Sequence, residues 1–138
     1  PIASCVGEIK PTHAFYSYEA KYLDPDGAKL IIPAGLQSAI AERVRQLAIQ
    51  SFSVAECKGL ARVDFFLSPE NDIYVNELNT MPGFTSISMY PKLWEASGIS
   101  YQDLISKLIN FAVEEFLVKQ QLHLTPNIAQ QSALVASK

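Results

Sequence analysis

The sequence has little cysteine or histidine, no strong excess of one charge and no long apolar run. Two cysteines are too few for a disulfide framework, and neither sits in a metal-ligand spacing, so Cys5 and Cys57 are expected to be free thiols in a reducing cytosol. The net charge of −3 and the lack of a basic run exclude nucleic acid as an expected partner. No segment approaches the roughly 20 apolar residues that span a bilayer, so no membrane association is expected.

The remaining composition is that of a globular domain, with 49% hydrophobic and 18% charged residues among 138. Apolar residues recur at helical spacing over 38–57 and over 101–119, where Ser100 and Asp103 suit a capping box, and a shorter helix is expected over 90–96. Short strands are expected over 5–9, 29–33, 61–67 and 73–79. The predicted fold class is α+β, a mostly antiparallel sheet with the two long helices packed on one face.

Both ends of the chain bear on its domain organisation. The chain begins at Pro1 and opens directly into a strand-like run, so we expect it to be a piece of a longer polypeptide. Helical periodicity fades near residue 120, and the last residues are mostly Ala, Gln and Ser. The sequence therefore predicts one domain over 1–120 and a flexible tail over 121–138.

The most informative polar residues lie in two apolar runs, 61–67 and 73–79, which turn-forming residues at 68–72 separate. Side chains alternate across a strand, so Arg62, Asp64 and Phe66 are expected on one face of the first run. On the second run the same alternation groups four side chains: Ile73, Val75, Glu77 and Asn79. If the two runs pair as a hairpin, two carboxylates, a carboxamide and a guanidinium converge on one side of a sheet.

This combination predicts a magnesium and phosphate site. Two neighbouring carboxylates require a cation, and the all-oxygen set of Asp64, Glu77 and Asn79 suits Mg²⁺, which usually also binds substrate phosphates. Two roles are open for Arg62. Its guanidinium either forms a salt bridge that neutralises the acidic side chains or donates paired hydrogen bonds to phosphoryl oxygens. The whole set could also be a solvated strand face. The apolar neighbours expected around it, including Phe66, favour a nucleotide base beside its phosphates instead.

The segment after the second run is expected to bind a substrate. Gly83 lets backbone N–H groups approach a ligand closely, and Thr85 and Ser88 supply hydroxyls for a carboxylate. Such loops are common turns, but a substrate loop beside a phosphate site is what acyl-phosphate chemistry requires. Lys21 follows an aromatic-rich segment and is either a surface lysine or a charge on a mobile loop that closes over phosphates.

Five motifs taken together closely resemble the D-alanine–D-alanine ligases of the ATP-grasp superfamily. In order along the chain they are YEAKY at 18–22, PAGL at 33–36, RVDFF at 62–66, NELNTMPGFT at 76–85 and SMYP at 88–91. The resemblance covers about residues 5–118 and corresponds to the C-terminal part of that enzyme. It implies ATP as co-substrate, phosphorylation of one D-alanine carboxylate, and attack by the amine of a second D-alanine, for peptidoglycan synthesis in the bacterial cytoplasm.

The resemblance assigns a role to each residue of the predicted metal site. It implies that Asp64, Glu77 and Asn79 hold two Mg²⁺ ions, or Mn²⁺ as an alternative, against the ATP phosphates. It further implies that Arg62 and the backbone of Gly83 stabilise the tetrahedral transition state.

Further roles implied by the resemblance concern the substrates. Ser88 and the backbone of Met89 would bind the carboxylate of the second D-alanine. Tyr22 stands where this family has Tyr with a D-alanine acceptor and Phe with D-lactate.

The nucleotide contacts implied by the resemblance come from two regions of the chain. Lys21 would reach the phosphates from the loop that covers the site, while Phe15 and Phe66 would line the adenine slot. The sequence departs from the family pattern at Ala14 and Ser17, where acidic residues are usual. These departures lie on the loop and leave the predicted metal residues unchanged.

The resemblance also defines the expected partners and the alternatives. The N-terminal and central domains of the family are absent from this chain, so the chain alone is expected to lack ligase activity, and the full-length enzyme is expected to be a homodimer. One alternative is an ATP-grasp ligase with D-lactate or D-serine as acceptor. The other is a non-catalytic nucleotide-binding module.

Overall fold

Four strands and three helices make up the part of the chain that the computed structural model describes, residues 1–11, 28–85 and 87–121. In chain order they are β1 (Glu8–Pro11), β2 (Ala28–Ile31), α1 (Ser38–Val54), β3 (Arg62–Leu67), β4 (Ile73–Asn79), α2 (Met89–Ala96) and α3 (Tyr101–Gln121). The presence of helices together with antiparallel strands confirms the predicted α+β class. The predicted tail falls almost entirely outside the described residues.

The strands pair as two antiparallel hairpins within the described residues. In the first, β1 pairs with β2, and Glu8 lies opposite Ile31. In the second, β3 pairs with β4 around a turn in which the Ser68 hydroxyl accepts the backbone N–H of Asp72 at 3.1 Å. Asn71 has a φ of 71°, a conformation that Asn tolerates better than most residues. The hairpin predicted at 61–79 is therefore confirmed.

Helix α1 ends earlier than its apolar pattern indicates. Glu56 has a φ of 52°, and the Cys57 N–H donates a hydrogen bond to the Phe52 carbonyl at 3.0 Å. The Glu56 N–H donates to the Ser53 carbonyl at 3.1 Å, which completes a Schellman motif. The predicted helix over 38–57 stops at Val54 because a non-glycine residue takes the left-handed position.

The two long helices contact different parts of the fold. Helix α1 packs against both strands of the β3–β4 hairpin, whereas the main contact of α3 is with α2. Ser100 caps α3, since its hydroxyl accepts the Asp103 N–H at 3.1 Å. An ion pair of 3.6 Å between Lys58 and Glu115 ties α3 to the segment before β3.

The buried apolar core of the described residues is small. Its members are Val44 of α1, Tyr90 of α2 and Leu104 of α3, with exposed fractions of 8%, 7% and 4%. Cys5 and Cys57 are free thiols, as expected. Among the described helices, none is long and apolar enough to cross a membrane.

Leu104→Ala is expected to destabilise the chain by about 2–4 kcal/mol, because it opens a cavity where α3 meets the core. Ile109→Ala on the same helix is the matched control, since Ile109 is 58% exposed, and its effect is expected to stay below about 1 kcal/mol. Urea unfolding of the 138-residue chain measures both. Equal losses for the two variants would contradict this core assignment.

Candidate functional site

The polar residues predicted to form a site meet at one end of the β3–β4 hairpin. The register places Arg62 opposite Asn79 and Asp64 opposite Glu77. Directly opposite residues of an antiparallel pair share a face, with their Cβ atoms about 4.5–5.5 Å apart. The expected convergence of these four side chains is confirmed, while their catalytic and metal-binding roles stay predictions.

A one-residue irregularity divides this face of the hairpin. The register shifts between Asp64 and Phe65 and skips Asn76 on β4. Beyond the shift the pairs are Phe65 with Val75, Phe66 with Tyr74, and Leu67 with Ile73. The prediction that Ile73 and Val75 share the face of the acidic residues is therefore wrong, because an extra residue reverses the alternation. Tyr74 takes that place beside Phe66, and their exposed fractions are 56% and 63%.

The guanidinium of Arg62 contacts both carboxylates. Its Nε and Nη2 donate to the two oxygens of Asp64 at 2.8 and 2.9 Å, and Nη2 lies 3.6 Å from Oε1 of Glu77. The three side chains are 18%, 28% and 51% exposed, so this charge cluster is only partly screened by water. Counting only these three side chains of the described residues, one positive charge faces two negative charges.

The oxygen atoms at this corner fit a hard divalent cation. Asn79 Oδ1 accepts the Met81 N–H at 3.0 Å, and a carboxamide or carboxylate oxygen has a second lone pair for another partner. Within the described residues, no group of three or more His, Cys, Asp or Glu side chains is placed to hold a metal. An ion bound by Asp64, Glu77 and Asn79 would need further ligands, which suits Mg²⁺ because it keeps waters and binds phosphates.

The loop after β4 brings two more predicted site residues into contact. The Ser88 hydroxyl accepts the Thr85 N–H at 3.0 Å, and the Ser88 N–H donates to the Thr85 carbonyl at 3.0 Å. A Cβ at Gly83 would lie 2.8 Å from the Ser88 hydroxyl, so a larger residue would force that hydroxyl to move. Met89 follows as the first residue of α2, where backbone N–H groups lack helical partners and favour anions.

Aromatic rings hold this loop against the helices. Phe84 lies 5.6 Å from Tyr90 and 5.6 Å from Tyr101, ring centre to ring centre. The Tyr101 hydroxyl also donates to the Phe84 carbonyl at 2.9 Å. Burial raises the pKa of Tyr90 above its usual value of 10.0, and a side-chain hydrogen bond with Trp94 opposes part of that rise. The sequence alone carried no signal for the contact between Tyr101 and the loop, because Tyr101 and Phe84 lie 17 positions apart.

Three predicted site residues, Phe15, Lys21 and Tyr22, lie outside the described part of the chain. Ala14 and Ser17, where the sequence departs from the family pattern, also lie outside it. Phe66 is described and lies on the predicted face of the hairpin. Its assignment to an adenine slot stays a prediction.

A family model described as "D-ala D-ala ligase C-terminus" matches residues 1–110. Solved structures of the same class resemble the chain, including the D-alanine-D-alanine ligase from Coxiella burnetii, with a TM-score of 0.67 and 38% identity over 80% of this chain and 30% of that one. The VanG D-Ala:D-Ser ligase from Enterococcus faecalis has a TM-score of 0.68 and 34% identity over 78% of this chain and 31% of that one. The fold and site thus define a ligase C-terminal domain.

More particularly, the chain belongs to the family of D-alanine–D-alanine ligase C-terminal domains. It is 57% identical over 122 residues to the D-alanine–D-alanine ligase of Shouchella clausii, an alignment that covers 88% of this chain and 33% of the relative. It is 50% identical over 125 residues to D-alanine–D-alanine ligase A of Escherichia coli, covering 91% of this chain and 34% of the relative. The chain therefore spans about a third of the length of these relatives.

The free energy of unfolding is expected to fall as the pH rises above 10, because folding raises the pKa of Tyr90. Stability from the neutral phenol is fully present below the unfolded pKa and is lost as the pH passes the higher folded pKa. Tyr90→Phe should reduce this alkaline loss, as measured by urea unfolding between pH 8 and pH 12. Tyr74→Phe, which removes an exposed hydroxyl, is the control. An identical pH dependence in wild type and Tyr90→Phe would refute the assignment.

Proposed function

We propose that this chain forms the C-terminal catalytic part of an ATP-dependent ligase that joins two D-alanines for peptidoglycan synthesis in the bacterial cytoplasm. One observation carries the proposal. Arg62, Asp64, Glu77 and Asn79 meet on one hairpin face in a chain that belongs to this ligase family. The bacterial relatives with 57% and 50% identity support the same activity.

Asp64, Glu77 and Asn79 are the proposed ligands of two Mg²⁺ ions, with Mn²⁺ as an alternative. When bound, such ions supply positive charge that stabilises the phosphates of ATP during transfer. The chain's own contribution is the orientation of three oxygen-bearing side chains on paired strands rather than on a loop. In the described structure Arg62 contacts the carboxylates of Asp64 and Glu77. A bound cation would balance those carboxylates, and the guanidinium of Arg62 could then donate to a phosphoryl or carbonyl oxygen.

The proposed reaction has two steps. A carboxylate oxygen of the first D-alanine attacks the γ-phosphorus of ATP, which breaks the bond to the bridging oxygen and releases ADP. The amine of the second D-alanine attacks the resulting acyl carbon, a C–N bond forms, the amine loses a proton, and inorganic phosphate leaves. The backbone of Gly83 and the guanidinium of Arg62 are the proposed donors to the oxyanion of this second step.

The loop and the start of α2 form the proposed acceptor site. The hydroxyl of Ser88 and the backbone N–H of Met89 would bind the carboxylate of the second D-alanine, with the helix N-terminus favouring the negative charge. Tyr22 is the proposed neighbour of this acceptor. Lys21 is the proposed contact to the ATP phosphates, and Phe15 and Phe66 are the proposed walls of the adenine slot.

D-serine is a second candidate acceptor. The structural likeness to a D-Ala:D-Ser ligase, with 34% identity and a TM-score of 0.68, makes it the alternative, while the 38% identity to the Coxiella burnetii ligase favours D-alanine. Tyr22 disfavours D-lactate. A non-catalytic nucleotide-binding module is disfavoured, because such a module has no need for all four polar side chains at the hairpin corner.

The remaining substrate and phosphate contacts are proposed to come from N-terminal and central domains that precede this segment in a longer, homodimeric enzyme. The relatives' additional length supports the further domains, since the chain covers 33% of the Shouchella clausii ligase. The chain alone is then expected to have no ligase activity.

A chimera tests the proposed function directly. Replacing the matching segment of the Shouchella clausii ligase with this chain should give an enzyme that releases phosphate and forms the dipeptide only when ATP and D-alanine are both present. The 138-residue chain alone is the negative control, and the unaltered relative is the positive control. A folded chimera without turnover would contradict the proposal, and preferential incorporation of D-serine would support the second acceptor.

Asp64→Asn in this chimera is expected to lower kcat by about 100-fold or more, because loss of a metal-binding carboxylate removes roughly 3 kcal/mol of transition-state stabilisation. Asp72→Asn is the matched control, since it removes an exposed carboxylate from the turn of the same hairpin. Steady-state phosphate release measures both variants. If Asp64→Asn kept wild-type turnover, Asp64 would have no role in the reaction.

A further inference from the structure

The peptide unit between Phe84 and Thr85 is held at both of its polar ends. The Phe84 carbonyl accepts the Tyr101 hydroxyl at 2.9 Å, and the Thr85 N–H donates to the Ser88 hydroxyl oxygen at 3.0 Å. A peptide unit is planar, so fixing the direction of its carbonyl also fixes the direction of its N–H. The hydroxyl of Tyr101 is thereby linked to the hydroxyl of Ser88 through one rigid group.

The bonds around Ser88 determine what its hydroxyl can still do. Its oxygen accepts the Thr85 N–H, and it lies 2.9 Å from the Thr85 hydroxyl. If Thr85 donates this second bond, both acceptor positions of the Ser88 oxygen are filled and its own hydrogen remains for a ligand. A carboxylate, which only accepts hydrogen bonds, is the chemical partner that such a hydroxyl suits.

Tyr101 is itself firmly placed. It is the first residue of α3 and follows Ser100, whose hydroxyl accepts the Asp103 N–H at 3.1 Å and so caps the helix. The ring of Phe84 lies between Tyr101 and the buried Tyr90, at 5.6 Å from each. The donor that holds the Phe84 carbonyl therefore comes from a capped helix start rather than from another loop.

We propose that Tyr101 is a positioning residue for the acceptor site. Its hydroxyl orients the Phe84–Thr85 peptide, and this peptide orients the Ser88 hydroxyl toward the carboxylate of the acceptor amino acid. This inference rests on the proposed ligase function. It assigns to Tyr101 an effect on acceptor binding and none on ATP binding.

Tyr101→Phe in the chimera removes the hydroxyl and keeps the ring. The KM for the acceptor D-alanine is expected to rise about two to five times, the loss of one partly exposed hydrogen bond, while kcat and the KM for ATP stay unchanged. Ser106→Ala is the matched control, because it removes another hydroxyl-to-carbonyl bond, 3.0 Å to Gln102, on the same helix. An unchanged acceptor KM, or an equal rise in the KM for ATP, would overturn the proposal.

A double-mutant cycle tests whether Tyr101 acts through Ser88. In a Ser88→Ala background, Tyr101→Phe is expected to have no further effect on the acceptor KM, because the group that it positions is gone. Effects that simply multiply would show that Tyr101 acts by another route and would reject the link.

Hydrogen exchange separates this inference from the proposed function. In the 138-residue chain, Tyr101→Phe is expected to speed exchange of the Thr85 amide about two to five times, whereas Ser106→Ala leaves it unchanged. An inactive wild-type chimera would contradict the ligase activity and leave this measurement to decide the peptide link. An unchanged Thr85 exchange rate would rule the link out.

Discussion

The pairing of one guanidinium with two carboxylates is the interaction on which the proposed site depends. Asp64 and Glu77 lie directly opposite each other, where like charges destabilise a hairpin. Arg62 offsets this repulsion with two short bonds to Asp64 and a 3.6 Å contact to Glu77, and among these three described side chains the carboxylates outnumber the guanidinium. The same arrangement therefore stabilises the strand pairing and leaves a corner suited to a cation. Strand register places the three residues on one face of the hairpin.

Two local features arrange the surroundings of that corner. The bulge at Asn76 separates a polar half of the hairpin face from an aromatic half, where Phe66 lies opposite Tyr74. The loop that holds Gly83 and Ser88 begins directly after Asn79, whose side chain accepts the Met81 N–H. The proposed phosphate, base and acceptor residues therefore come from one hairpin and from the loop that directly follows it.

Sequence reasoning succeeded where local signals determine local structure. Turn residues and alternation predicted the hairpin and the meeting of its four polar side chains, and Ser100 with Asp103 predicted the start of α3. It failed at the bulge, because nothing in the alternation marks Asn76 as an extra residue, and Ile73 and Val75 were assigned to the wrong face. The end of α1 was missed because Glu56, not a glycine, takes the left-handed position. Contacts between distant segments, such as that of Tyr101 with Phe84, have no local signal at all.

The most direct test of the central claim is a crystal structure of the chimera with ADP and Mn²⁺, with data collected near the manganese absorption edge. The proposed metal site predicts anomalous density bounded by the side-chain oxygens of Asp64, Glu77 and Asn79, with Arg62 turned at least partly toward the phosphates. Manganese density elsewhere, with Asp64 and Glu77 still held by Arg62 alone, would contradict it.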